Sequence, residues 1–225
     1  MKLFSIICIL LCFTFKIYGQ SYQNIVIYTP NGTSITARKL ISGDYTNSQK
    51  QQFKEYYLAY YNNRIIYIDE ATRSYNCHAY AWHVSGGGEK VWINTPDDDT
   101  YWNDGSYEET NAADATKISF VSDDHSAITT SQSEYIESKW GAMPLFRHRI
   151  TDCPYSYSSI KYYKKTCPTT TISNVNYNTN TTINGCNVTL QNVEVQNNAK
   201  LTIDANETTI NGPFEVQIGA ELEIK

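Results

Sequence analysis

The sequence predicts an α+β domain followed by a small all-β region of solenoid-like repeats. Three observations carry this: one amphipathic helix pattern stands among short strand patterns, the texture of the chain changes near Cys167-Pro168, and the segment beyond repeats itself. The expected division is a signal peptide over 1–19, a first domain over 20–167 and a β-strand repeat region over 168–225.

The start reads as Lys2, an apolar stretch from Leu3 to Phe15, then Lys16-Ile17-Tyr18-Gly19. A charged end, a short apolar run and a small residue at the cut make a secretory signal peptide. The run is too short to span a bilayer, which takes about 17 to 25 residues, and no later segment is apolar enough to do so. Cys12 lies between Leu11 and Phe13, not the small residues of a lipid attachment site, so a secreted, periplasmic or cell-surface protein is expected.

Of 225 residues 41% are hydrophobic and 18% charged, an ordinary globular composition. Cleavage removes Lys2 and Lys16 and no acid, moving the net charge from −5 to −7. With no basic run, nucleic acid is not an expected partner. Cys8 and Cys12 leave with the signal. Cys77 then stands far from Cys153, Cys167 and Cys186, which can form at most one bridge among themselves. Spacing does not select the pair.

In the first domain Ser48 and Gln51 have the spacing of a capping box, and Phe53, Tyr56, Tyr57, Tyr60 and Tyr61 follow at helical intervals. A helix over 48–62 is predicted, its tyrosine stripe facing the core. Ile65–Ile68 is a short strand. Ile118–Val121 and His125–Ile128 flank a Ser-Asp-Asp turn, and Glu134–Glu137 is a further strand.

The tail carries all of its signal in repetition. Val193-Glu-Val-Gln-Asn-Asn-Ala-Lys-Leu-Thr-Ile203 matches Phe214-Glu-Val-Gln-Ile-Gly-Ala-Glu-Leu-Glu-Ile224, and Thr-Thr-Ile-Asn-Gly occurs at 181–185 and 208–212. Alternating apolar positions make these strands with one buried face. Turns of a β-solenoid are expected, with a small antiparallel sandwich as the alternative. The tail offers no catalytic residues. A cell-surface partner through 168–225 is one role open to it.

The segment Ser74-Tyr-Asn-Cys77-His-Ala-Tyr-Ala-Trp82 follows a loop and suits the first turns of a buried helix, with Cys77 at its start. Backbone N–H groups there favour a thiolate and an oxyanion. A nucleophilic thiolate needs an imidazole to move its proton. His125 is that candidate, because His78 points about 100° away from its neighbour around a helix. Asp124 could flank the base.

In this order the residues resemble the papain-like bacterial cysteine amidases and endopeptidases of the NlpC and CHAP kinds. Tyr75-Asn76-Cys77 matches the nucleophile stretch and His125-Ser-Ala-Ile128 the strand that opens with the base. The resemblance covers roughly residues 70 to 148. It implies a papain-like domain, in which a helix bearing Cys77 packs on an antiparallel sheet bearing His125, and hydrolysis of a peptide amide through a thioester. By the same resemblance the substrate is a peptide, including peptidoglycan-like ones, and a third polar residue holds the base. Counting on from His125 gives Glu137, then Ser138, with His148 as a further candidate. Two positions depart from the pattern: His78 replaces a small residue and Asn76 an acid. Those departures motivate a rival, a non-catalytic secreted binding or adhesion protein. Tyr75, Asn76, Trp102 and Trp140 are the candidate substrate contacts.

No cofactor or metal is expected. His78 and His83 are five apart and there is no HExxH motif, which argues against a zinc hydrolase. Asn94–Asp99 and Tyr101–Gly105 hold closely spaced acids without the closing Glu of an EF-hand. The long stretch from Trp92 to Ile118 reads as a solvated, substrate-facing lid.

Overall fold

The computed structural model describes residues 19–225. Except for Gly19, the predicted signal peptide lies outside the described residues, as do Cys8 and Cys12. The chain forms two compact units, one ending at Lys164 and the other Lys165–Lys225.

The first unit opens with a hairpin of β1 (Ser21–Tyr28) and β2 (Ser34–Ser42). Helix α1 (Asn47–Tyr60) follows, capped by Thr46, whose hydroxyl accepts from the Gln49 N–H while Gln49 accepts from the Thr46 N–H. The capping box therefore lies two residues before the expected Ser48 and Gln51. The tyrosine stripe is split: Tyr57 and Tyr61 pack on Trp140, while Tyr56 and Tyr60 are exposed.

Strand β3 (Ile66–Asp69) leads to α2 (Cys77–Trp82), all six of whose residues are buried. Asn76 caps it, accepting from the Ala79 N–H. The helix ends at His83, and after a tight turn over Val84–Gly86 the chain reverses at Gly87, φ 94°. Helix α3 (Thr100–Asn103) and β4 (Tyr107–Thr110) precede the β5 (Lys117–Phe120) and β6 (His125–Thr129) hairpin, in which Phe120 faces His125. Strands β7 (Ile136–Lys139), β8 (Leu145–His148) and β9 (Ile160–Lys165) complete a seven-stranded sheet in the order β3-β8-β7-β6-β5-β9-β4. On one face α2 and the β1–β2 hairpin bury Tyr75, Trp82, Ile93 and Tyr101. A second cluster holds Ile118, Phe120 and Ala127.

The predicted α+β papain-like fold is corrected by this architecture. The described residues are 44% strand and 14% helix, with three short helices against large sheets. The sequence reading left β1, β2, β4, β8 and β9 unassigned, and these supply much of the difference. Nor is the stretch from Trp92 to Ile118 simply a solvated lid: it contains α3 and β4, and Asp98 and Tyr101 are buried.

The second unit contains β10 (Thr169–Tyr177), β11 (Thr181–Val195), β12 (Lys200–Ile210), β13 (Phe214–Val216) and β14 (Glu221–Ile224), all paired in parallel. The sequence repeat becomes the register: Val193 lies beside Phe214, Leu201 beside Leu222 and Ile203 beside Ile224. Inward positions bury Val188, Leu190, Val193, Val195, Leu201 and Ile203. Corners use Asn174, Asn192, Asn197 and Asn198 at positive φ, which asparagine tolerates better than other side chains. Cys167 and Cys186 form a disulfide within this unit, leaving Cys77 and Cys153 as thiols. No helix among the described residues is long and apolar enough to cross a membrane.

Candidate functional site

The first residue of α2, Cys77, is only 6% exposed. It lies beside two imidazoles. Burial raises its thiol pKa, but the charge and hydrogen bonding of His125, and then of His78, outweigh this and bring it down to about 5. Both imidazoles thus favour the thiolate over the thiol.

His125 opens β6 and is buried. Its ring stacks on Tyr155 with centroids 3.5 Å apart and an interplanar angle of 11°, and meets the Phe120 edge at 5.1 Å. Neither ring nitrogen has a partner in well-aligned hydrogen-bond geometry. Such bonds are commonly loose before substrate binds.

His78 is not a rim residue. Its Nδ1–H donates to Asp98 Oδ2 at 2.9 Å, Ser126 Oγ lies 3.0 Å from the same nitrogen, and Nε2 is 3.7 Å from Asp124 Oδ1. Trp82 Nε1–H also donates to Ser126 Oγ. Burial lowers the His78 pKa, but the bond to Asp98, and then the Cys77 thiolate, raise it to about 11. Helix geometry separates neighbouring side chains, yet here the adjacent imidazole acts on the sulfur because Asp98 and Ser126 hold it in place.

The predicted third residues do not reach His125. Strand parity explains Glu137: it pairs with Ile128, so it shares a sheet face with Ile128 and Ser126, not with His125. Its Oε1 accepts from Arg147 Nε and Nη2 at 2.8 and 2.7 Å, and its Oε2 from the Tyr80 hydroxyl at 2.7 Å. Ser138 has the right parity but is committed elsewhere. Its hydroxyl donates to His148 Nε2 at 2.8 Å and accepts from Trp140 Nε1 at 3.0 Å, while His148 Nδ1–H donates to the Arg149 carbonyl. Burial, reinforced by the nearby charge of His125, takes His148 down to about 4, so it stays neutral.

A cavity of about 420 Å³ is lined by His78, Asp98, Trp102, Asp124, His125 and Tyr163, among others. Of the four predicted substrate contacts only Trp102 lines it. Asn76 is the buried cap of α2, Tyr75 donates to Asp69 Oδ2 at 2.9 Å, and Trp140 is packed between Tyr57, Tyr61 and Phe146. Sequence reasoning missed Tyr155, Asp98 and Ser126. Ser126 lay inside the strand that the resemblance quoted and Asp98 inside the acid-rich stretch Asn94–Asp99, but Tyr155 carries no local signal. His78, Asp98 and Asp124 together form the one set of potential metal donors among the described residues. No family model, no curated protein and no solved structure matches the chain.

Proposed function

We propose that the first unit is an exported cysteine amidase or peptidase that hydrolyses a peptide amide through a thioester on Cys77. One observation carries the reading: a free thiol at the start of α2 lies beside an imidazole, His125, whose nitrogens no other group occupies. The Cys77 sulfur attacks the amide carbonyl, His125 gives a proton to the departing amine, and the acyl group remains on sulfur. His125 then takes a proton from water as the water attacks the thioester, releasing the acid and restoring the Cys77 thiolate. Stacking on Tyr155 holds the plane of the imidazole. Cell-wall peptide stems are the substrates that the motif order suggests trying first. Export rests on residues 1–19 being a signal peptide.

Hydrolysis of a muropeptide digest, followed by mass, tests this together with iodoacetamide labelling of Cys77 in a Cys153→Ser background. The expected result is turnover lost in Cys77→Ala and reduced on the order of 100-fold in His125→Ala. Turnover surviving both substitutions, or a Cys77 that labels no faster than in His125→Ala, would overturn it. The absence of a polar partner for His125 favours one rival, a binding protein. It predicts peptidoglycan binding that survives Cys77→Ala without turnover.

A further inference from the structure

The same cavity holds an arrangement that the cysteine chemistry does not use. His78, Asp98 and Asp124 each present one donor atom, and these lie within 4.8 Å of one another. Metal bonds to imidazole and carboxylate run about 2.0 to 2.2 Å, so donors sharing one ion stand roughly 3 to 4.4 Å apart. The 2.9 Å between His78 Nδ1 and Asp98 Oδ2 is close to this size, while Asp124 Oδ1 now lies 3.7 Å from the other ring nitrogen, Nε2, which cannot serve the same ion. Asp124, whose side chain is 66% exposed, can rotate to close the rest. Thr95 Oγ1–H donates to Asp124 Oδ1 at 2.7 Å, an outer contact of the sort that orients a ligating carboxylate.

Two observations show that the present hydrogen bonds leave the site incomplete. Asp98 is 3% exposed and lines the cavity, yet its Oδ1 is buried with no partner. A buried acceptor left empty is costly. Independently, the fully buried His125 lines the same cavity, and neither of its ring nitrogens makes a well-aligned hydrogen bond. The charges point the same way: Asp98, Asp99 and Asp124 all line the cavity. The one lysine in the lining, Lys161, is paired with Glu109 at 3.0 Å.

We propose that His78, Asp98 and Asp124 bind a first-row divalent metal ion of the zinc or manganese kind, in the cavity beside Cys77. An imidazole donor selects such ions over calcium and magnesium, and three protein donors leave coordination positions open to the cavity. The ion displaces the proton that His78 shares with Asp98. Cys77 and His125 are outside the donor set, so the site stands whether or not the chain hydrolyses amides. Sequence spacing could not show it, because the three donors lie on α2, on the turn before α3 and on the β5–β6 loop.

The test is titration of the chelator-treated full chain with Co2+, read by the visible bands of the bound ion, followed by displacement with Zn2+. One equivalent is expected. Asp98→Asn and Asp124→Asn should each weaken binding at least about tenfold, with Cys77→Ser unchanged. Asp124 is exposed, so its variant keeps the test sound if Asp98→Asn fails to fold. Absence of stoichiometric binding, or binding that survives Asp124→Asn, would overturn the proposal. So would loss of binding in Cys77→Ser, which would move the ion onto the thiol.

Discussion

The two units solve the problem of specifying a fold in opposite ways. The core of the second is apolar, in positions that its repeat dictates and stacked in register, although the hydroxyls of Thr166 and Thr208 are also buried there without partners. The first buries Asn76, His78, Asp98, Lys117, His125, Ser138, Lys139 and His148 among its aromatics. Apolar stacking is undemanding in geometry, whereas each buried polar group must find a partner or be left at a cost. Unpartnered buried atoms are informative here for that reason. Those of Asp98 and His125 line one cavity, which is where chemistry or a ligand is to be sought.

Lys139 gives the most severe test of that contrast. Its ammonium is fully buried and burial takes its pKa down to about 7, while its protons go to the Thr72, Gly141 and Met143 carbonyls. Lys139→Met keeps the volume and leaves three carbonyls without their donor. It should destabilise the first unit by about 4 kcal/mol, at the scale of breaking a buried charged network. All four tryptophans lie in that unit, so denaturant unfolding read by tryptophan fluorescence reports on it alone. A stability change below about 1 kcal/mol would mean that the first unit, too, rests mainly on apolar packing.

His148 sharpens the contrast through pH. Its folded pKa, about 4, lies below the ordinary value of 6.5, so between these the unfolded chain binds more protons. The contribution of His148 to the stability of the first unit should be full above pH 6.5 and fall as the pH drops toward 4, by about 3 kcal/mol at most. Denaturation midpoints across that window check it, and His148→Gln should flatten the curve. The second unit has no histidine and should not follow.

The legibility of the chain divides along the same line. Repeats and alternating patterns are local, so the tail strands, the β5–β6 hairpin and the start of α2 at Cys77 could be read directly. The balance of the fold could not. Helix α2 is only six residues long, and strands such as β4 and β9 gain their character from neighbours distant in sequence. At the site, Cys77 and His125 were legible because each opens an element. Glu137 was reached by counting along the chain, and the count ignored that one residue changes the sheet face. Asp98 and Tyr155 act on the two histidines only through tertiary placement.

The disulfide offers the smallest effect and the cleanest separation of the units. Cys167 and Cys186 are 19 residues apart with Cα atoms 5.2 Å from one another, and the bridge joins the segment before β10 to β11. Closing a loop of that length in the unfolded chain is worth about 3 kcal/mol as an upper figure. The parallel ladder between β10 and β11 already holds the two segments in register, so the folded state does not need the bond to define its geometry. Cys167→Ser with Cys186→Ser should therefore lower the stability of the second unit by about 2 to 3 kcal/mol without changing its fold, as read by hydrogen exchange over β10–β12. Iodoacetamide labelling of Cys77 should be unaffected. If labelling changed with the tail bridge, the reactive thiol would depend on the repeat region, and the separation of chemistry from scaffold drawn here would fail.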